Sequence, residues 1–323
     1  MTDPLIAPLA LAIERVAGYP DGFTRRIGHP VVWIGALIGL FEARLNTPAR
    51  TAAQRRLAGV VALALVLLAV LVVSVGLRTI LSWLPGGWLV EMLLATSLLA
   101  QKELARAVRT VSEALRTSLA AGREAVSHVV GRDPEALDEA GVARAAIETL
   151  AESTSDGVVA PWFFLVLFGL PGIALYKAIN TADSMIGHLD ARYRAYGWSA
   201  AKLDDLVNFL PARLTAMLVT AACFFVPGAS PSRAWATARA DAAKHDSPNA
   251  GWPEAAFAGA LGFTLGGPRA YDGKVLDLPA FGTGKTALGP SDILRALLLY
   301  RLTLNVLLGL SAALAVVVLA GAQ

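Results

Sequence analysis

The chain has 323 residues, of which 55% are apolar and 16% charged, with a formal net charge of +3. That balance is the composition of an integral membrane protein, and a single cysteine, Cys223, excludes a disulfide-stapled fold. Nucleic acid is not an expected partner, because the arginines are spread along the chain and interrupted by acids.

In chain order, residues 1–17 lack the basic start and small-residue cleavage site of a secretory signal and are expected to form a retained, membrane-associated helix. His29-Pro30 precedes Gly35 and Gly39, a spacing that permits close helix packing. Residues 57–77 carry no charge and are long enough to cross a bilayer. Arg44, Arg50, Arg55 and Arg56 come before this span and only Arg78 closely follows it, which places the amino side in the cytoplasm. Residues 88–100 are shorter and hold Glu91, so they cross only if the next helix extends them. From Leu104 to Val129, apolar residues recur at helical spacing with Lys102, Arg106, Arg109, Glu113 and Arg116 mostly off the stripe, as in a packing helix.

Asp133-Pro134 predicts a helix over 134–152, with Gly157 breaking it. Residues 158–176 are apolar, yet Pro161, Gly169 and Pro171-Gly172 interrupt them, so this segment is expected to be kinked or re-entrant. Ser199 is placed to cap a helix through Asp204 and Asn208 that kinks at Pro211, and 209–226 is a further candidate span. Residues 228–292 read as a long polar connection with at least one helix, beginning near Ser230-Pro231, and 302–320 as a last span. The fold class is therefore all-α: a polytopic integral membrane helical protein with about 4–6 membrane-embedded segments, one of them broken or re-entrant. Residues 1–323 are expected to make one helical domain with cytoplasmic helices and loops.

Three polar clusters stand out against this apolar background. Arg144, Glu148, Glu152 and Asp156 are four residues apart and share a helix face. Converging carboxylates repel unless a cation sits among them, and magnesium is commonly bound by one or two carboxylates plus substrate phosphates. A solvated face with an Arg144–Glu148 ion pair accounts for the spacing equally well. Lys177, Asn180, Asp183, Ser184 and His188 fall on or near one face, and Asp204, Asp205, Asn208 and Arg213 follow; such sets suit phosphate and metal handling or a structural hydrogen-bond network. The third cluster runs from Asp241 to Glu254, where Lys244 and His245 are suited to an anion and Asn249 beside Gly251 makes a tight polar turn. Arg269 lies in a nearby loop, Gly266 to Tyr271. Gly282-Thr-Gly-Lys-Thr286 lacks the first glycine of a phosphate-binding loop, and Pro279 stands in its place.

Several strings, in order over nearly the whole chain, resemble the cobinamide-phosphate synthase family of cobalamin biosynthesis. They are His29-Pro-Val-Val-Trp-Ile-Gly35, Glu148-Thr-Leu-Ala-Glu152, Ser155-Asp-Gly-Val-Val-Ala-Pro161, Tyr176-Lys-Ala-Ile-Asn-Thr-Ala-Asp-Ser-Met185, Leu203-Asp-Asp205, Asn208-Phe-Leu-Pro-Ala-Arg-Leu214 and Ser247-Pro-Asn-Ala-Gly-Trp-Pro-Glu254. Ser153 departs from the asparagine usual there. The resemblance implies an ATP-dependent amide ligase of the cytoplasmic (inner) membrane, multi-pass, joining adenosylcobyric acid to aminopropanol or its phosphate. Its co-substrate would be ATP with Mg2+, and a homo-oligomer is compatible with it.

On that resemblance, Glu148, Glu152, Asp156 and Asp183 are expected to hold magnesium. Lys177, Arg213, Lys244 and Arg269 would neutralise phosphate, while Asn180, Ser184, Asn208 and Asn249 would orient substrate. Asp204, Asp205 or His245 would take the proton of the incoming ammonium. Both polar halves of the 144–213 stretch would need cytoplasmic ATP, so 158–176 is expected to fold around the site. The rival reading is a non-catalytic membrane transporter or regulatory protein on the same scaffold, which predicts loss of the third cluster; that cluster is present.

Overall fold

A computed structural model describes residues 3–18, 28–130, 134–267, 269–271, 274–276 and 278–321. Helices run α1 (Ile6–Ala17), α2 (Pro30–Leu45), α3 (Ala52–Ser82), α4 (Gly87–Thr96), α5 (Gln101–Thr117), α6 (Leu119–Ser127) and α7 (Glu139–Thr154). A π-helical turn, Ser155–Val159, joins α7 to α8 (Ala160–Ile186), followed by α9 (Trp198–Val207), α10 (Phe209–Ala222), α11 (Pro231–Asp241) and α12 (Gly251–Leu261). Four short strands, β1 (Leu265–Gly266), β2 (Arg269–Tyr271), β3 (Lys274–Leu276) and β4 (Ala280–Phe281), pair antiparallel as β1–β4 and β2–β3 before the long helix α13 (Pro290–Gly321).

The chain is an all-α membrane protein. Among the described residues three stretches are long and apolar enough to cross a bilayer, Ala52–Ser82, Glu139–Ile186 and Pro290–Gly321. α9 and α10 reach that standard only together, with a 44° bend between them, so a fourth, broken membrane segment would have to be carried by α10. α9 itself carries Lys202, Asp204 and Asp205 in ten residues, and charges of that density belong outside the hydrocarbon. We therefore place α9 outside the crossing segments.

Two compact units share the chain: residues 1–100, 160–208 and 311–323 form the first, and residues 101–159 and 209–310 the second. In the first, α3 starts with a reciprocal cap, Thr51 Oγ1 accepting the Gln54 N–H while Gln54 Oε1 accepts the Thr51 N–H. Its 31 residues rise about 46 Å, enough to cross. Only Gly59, Ala62, Leu63 and Val66 along its first half are buried, packing with Ile38, Ala182, Ile186, Tyr196 and Ala200, whereas Leu68, Val72 and Val73 face outward as lipid-facing residues do. Gly59 is required there, since a Cβ would lie 1.8 Å from the Tyr196 carbonyl oxygen.

The mouth of this unit is tied by Glu42, whose carboxylate accepts Arg192 Nε–H at 3.0 Å, Arg192 Nη2–H at 2.9 Å and Asn46 Nδ2–H at 2.9 Å. The Arg192 hydrogen bonds hold Glu42 below the usual carboxylate range. A carboxylate lowered on folding stabilises the protein above its unfolded pKa, about 4.3, and that contribution disappears as pH falls through the lower folded value. Between neutral pH and pH 3 the native protein is therefore expected to lose more melting temperature than Glu42→Gln, followed by thermal denaturation in detergent. Equal losses would show that the pair contributes nothing.

In the second unit the core is α12, where Ala255, Ala256, Phe257, Ala258 and Ala260 are wholly buried. It packs on α7, α10 and α11, and Gly259 lets α11 approach so closely that a Cβ would sit 2.4 Å from the Arg233 carbonyl oxygen. Residues 228–292 are thus not a polar connection but include the helix at the centre of the unit. Ser230 caps α11 as expected, its Oγ accepting the Arg233 N–H. The amphipathic stretch from Leu104 is two helices, because Ser118 Oγ accepts the Ala121 N–H and starts α6.

Other expectations are corrected. α7 starts at Glu139 with Asp138 as its cap, and Pro134 to Leu137 form a turn; Asp133 lies outside the described residues. Gly157 does not end the helix, since the wider π turn carries the chain through and buries Val158 and Val159. The break in 158–176 lies at Gly169, with φ +66°, just before Pro171, which has no N–H to continue the ladder. α4, at ten residues and about 15 Å, is too short to cross. Gly197, not Ser199, precedes α9, and the chain bends at Asn208, leaving Pro211 in the first turn of α10, where its missing N–H is harmless.

Candidate active site

In the first unit, α8 places Tyr176, Asn180 and Asp183 at helical spacing on one face, and α9 brings Asp204 to that face. Tyr176 Oη–H donates to Asn208 Oδ1 at 2.9 Å, and Asn208 Nδ2–H donates to Asp204 Oδ2 at 2.9 Å. Asn180 Nδ2–H reaches Asp204 Oδ1 at 3.5 Å. Burial, and then the neighbouring Asp183 carboxylate, push Asp204 up to about 7, against the opposing pull of the Asn208 and Asn180 hydrogen bonds. A carboxyl that titrates near neutrality can both accept and return a proton at working pH. Asp205 does not share this setting: its Oδ2 pairs with Lys202 Nζ at 3.0 Å.

Lys177 acts on His29, whose ring is held below its usual range by burial first and by the Lys177 charge second. His29 Nδ1 accepts the Val31 N–H and caps α2, with Pro30 at its first position, which gives the His-Pro pair a structural reason that sequence spacing alone did not supply. Ser184 Oγ–H donates to the Asn180 carbonyl at 2.9 Å.

In the second unit, Arg144 and Glu148, one turn apart, grip a single backbone unit. Glu148 Oε1 accepts the Gly266 N–H at 2.7 Å, and Arg144 Nη1–H donates to the Gly266 carbonyl at 3.2 Å. These contacts replace the simple i, i+4 ion pair. Gly266 holds φ +70° and is pressed against Pro279, so the clamp fixes a turn that only glycine fits. Glu148→Ala is expected to leave the buried Gly266 N–H unmatched and cost about 1–3 kcal/mol, read as a lower melting temperature. An unchanged melting temperature would mean that the loop is held without Glu148.

Around α12 the third cluster assembles. His245 Nδ1 accepts the Ser247 N–H at 2.9 Å, its Nε2 lies 3.6 Å from Glu254 Oε1, and its ring stacks on Phe281. This pattern fixes the neutral ring with its proton on Nε2, facing the buried Glu254. Arg213 sits over the rings of Phe209 and Trp252, 3.5 and 4.9 Å from their centroids, and donates to Asn249 Oδ1 at 3.3 Å. Lys244 pairs with Asp241 at 2.6 Å, and the other Asp241 oxygen accepts the Gly282 N–H at 2.7 Å. Gly251 is required, since a Cβ would lie 2.3 Å from the Ala242 carbonyl oxygen.

The Gly282–Thr286 loop spends its donors internally, Gly282 on Asp241, Gly284 on Thr264 and Lys285 on Asp292, and it cradles no phosphate in this arrangement. Arg269 belongs to β2, and its side chain lies outside the described residues. Among the described residues no group of three or more His, Cys, Asp or Glu is placed to hold a metal ion by itself. Glu148, Glu152 and Asp156 belong to the second unit and Asp183 to the first. Sequence reasoning set Asp241 and Glu254 at the ends of the third cluster and Tyr176 at the head of a family string, but missed their partnerships with Lys244, His245 and Asn208, which join residues by contact and carry no spacing signal.

The family profile described as "CobD/Cbib protein" matches residues 7–300. The cobalamin biosynthesis protein CobD of Rhodobacter capsulatus is 47% identical over 299 residues, 91% of this chain and 91% of that protein. CobD of a Sinorhizobium species is 48% identical over 297 residues, 90% and 91% of the two chains, and CobD of Brucella suis biovar 1 is 45% identical over 310 residues, 95% of each. No solved structure matches this chain.

Proposed function

The chain belongs to the CobD/Cbib family of cobalamin biosynthesis proteins, and from that premise we propose that it is the ATP-dependent ligase joining adenosylcobyric acid to aminopropanol or its phosphate. A carboxylate does not react usefully with an amine at neutral pH, so it must be activated. A propionate oxygen attacks the γ-phosphorus of ATP and releases ADP. The free amine then attacks the acyl carbon, the phosphate leaves, and the proton lost by nitrogen passes to a protein base.

The observation that carries this reading is Asp204, a partly buried carboxyl raised to about 7 and held by hydrogen bonds from Asn208 and Asn180. The other two acid–base candidates are engaged elsewhere: Asp205 is ion-paired, and both nitrogens of His245 face partners. The neighbouring Asp183 carboxylate adds the like-charge repulsion that, after burial, raises Asp204. In the first unit Lys177, and in the second Arg213 and Lys244, are the cations suited to phosphate oxygens.

Magnesium, when bound, would neutralise nucleotide phosphate charge. Glu152 and Asp156 offer the hard oxygen donors it prefers, and an ion that takes the rest of its shell from phosphates and water does not need three protein carboxylates. Placement in the cytoplasmic membrane, with the arginine-rich start of α3 inside, follows the same charge asymmetry as before.

Purified protein would be incubated with adenosylcobyric acid, ATP, magnesium and either aminopropanol or its phosphate, and corrinoid mass followed. An amide product with stoichiometric ADP is expected. No corrinoid product with any combination would overturn the ligase reading and favour a non-catalytic role on this scaffold.

A further inference from the structure

At the end of α3 away from Arg55 and Arg56, the first unit has two clefts that share Asp3 and Arg78 in their walls. One, of about 460 Å³, is polar and is lined further by Ser82, Trp88 and Glu91. The other, of about 530 Å³, is apolar along most of its length, between Leu165 and Phe168 of α8 and Leu314 and Val318 of α13.

Glu91 is only 8% exposed, and its Oε1 accepts no hydrogen bond, although Arg78 Nε lies 3.6 Å away. Asp3 uses one oxygen on the Leu5 N–H at 2.9 Å. Asp3, Arg78 and Glu91 thus line one polar cleft, and a buried carboxylate oxygen without a donor, as at Glu91 Oε1, is costly. Arg78 stands near the end of a crossing helix, followed by the exposed Trp83 and the partly exposed Trp88, aromatic residues of the kind that sit at headgroup depth. From there the apolar cleft runs beside α13, another crossing helix, and Phe168 and Val318 on its walls are exposed.

We propose that the joined clefts hold one phospholipid with a primary-ammonium headgroup. Its phosphate meets Arg78, its ammonium gives N–H donors to Glu91 Oε1 and Asp3, and an acyl chain fills the apolar cleft. An anionic lipid without a cation would leave Glu91 unmatched, and a quaternary ammonium would bring charge without donors. The inference is independent of the ligase reading, because none of these residues has a part in it.

The test is native mass spectrometry of the full chain in detergent, offered equal amounts of phosphatidylethanolamine, phosphatidylglycerol and phosphatidylcholine. Phosphatidylethanolamine is expected to be retained about tenfold better than the other two, in line with one charge-assisted hydrogen bond. Glu91→Gln is expected to abolish that preference, and Leu314→Trp, which fills the apolar cleft, to lower retention of all three, with melting temperatures checked for both. Equal retention of the three lipids by the native protein would overturn the proposal whether or not the variants fold. Displacement of the lipid by an equal concentration of free ethanolamine phosphate would also overturn it, showing a site for a soluble amino alcohol phosphate instead.

Discussion

Asp204→Asn is expected to lower the rate of amide formation by about 10²–10⁴-fold, the range that a positioned acid or base supplies. On the proposed mechanism this carboxyl must be ionised to accept the amine proton, so the rate should rise with pH through about 7 and then level, and the residual rate of the variant should lack that step. Stability should move the other way. A carboxyl raised on folding favours the folded state at low pH and loses that contribution as pH rises through the folded value. At pH 8 the asparagine variant should therefore melt no lower than the native protein, and a large rate loss without unfolding would separate chemistry from collapse. Asp205→Asn, whose native partner is the half-exposed Lys202, should keep most of the activity. Near-native turnover by Asp204→Asn, measured by corrinoid mass, would remove Asp204 from the mechanism.

Gly59→Ala is expected to have the largest effect on the fold of the first unit. The new Cβ would meet backbone at 1.8 Å, the Tyr196 carbonyl oxygen, and backbone cannot swing aside as a flexible side chain does. The loop before α9 must then move off α3, at a cost of about 1–3 kcal/mol or more. Contacts of that loop with Arg55, and of Arg56 with the Trp198 ring, should weaken, and because α9 carries Asp204, turnover should fall with stability. Gly76→Ala is the matched control: nothing lies within 4 Å of its Cβ, and alanine favours the helix. A native-like melting temperature for Gly59→Ala, with the control unchanged, would show that α9 is not held by this contact.

The membrane class, the spans at 57–77 and 302–320 and the helix start at Ser230 were legible because they depend on local quantities: uninterrupted hydropathy, and a side chain that reaches the next turn. The polar face of α8 was legible for the same reason, since helical spacing alone puts Asn180 and Asp183 together. α12 was not. Its Gly-Trp-Pro-Glu start reads as a turn, and its alanines mark a core only because α7, α10 and α11 close around them.

By itself the sequence determined that this is a helical membrane protein, which polar residue types it sets against that apolar background, and which family it resembles. The tertiary structure alone decided how those residues differ from one another. Asp204 and Asp205 are adjacent and chemically identical, yet one accepts hydrogen bonds from Asn208 and Asn180 near a second carboxyl and the other pairs with Lys202. Likewise spacing reads Glu148 as a metal ligand or half of a surface pair, and only the fold shows its Oε1 gripping the Gly266 backbone 118 residues away. Such differences arise from desolvation and from partners distant in the chain, and neither is encoded in any local stretch of residues.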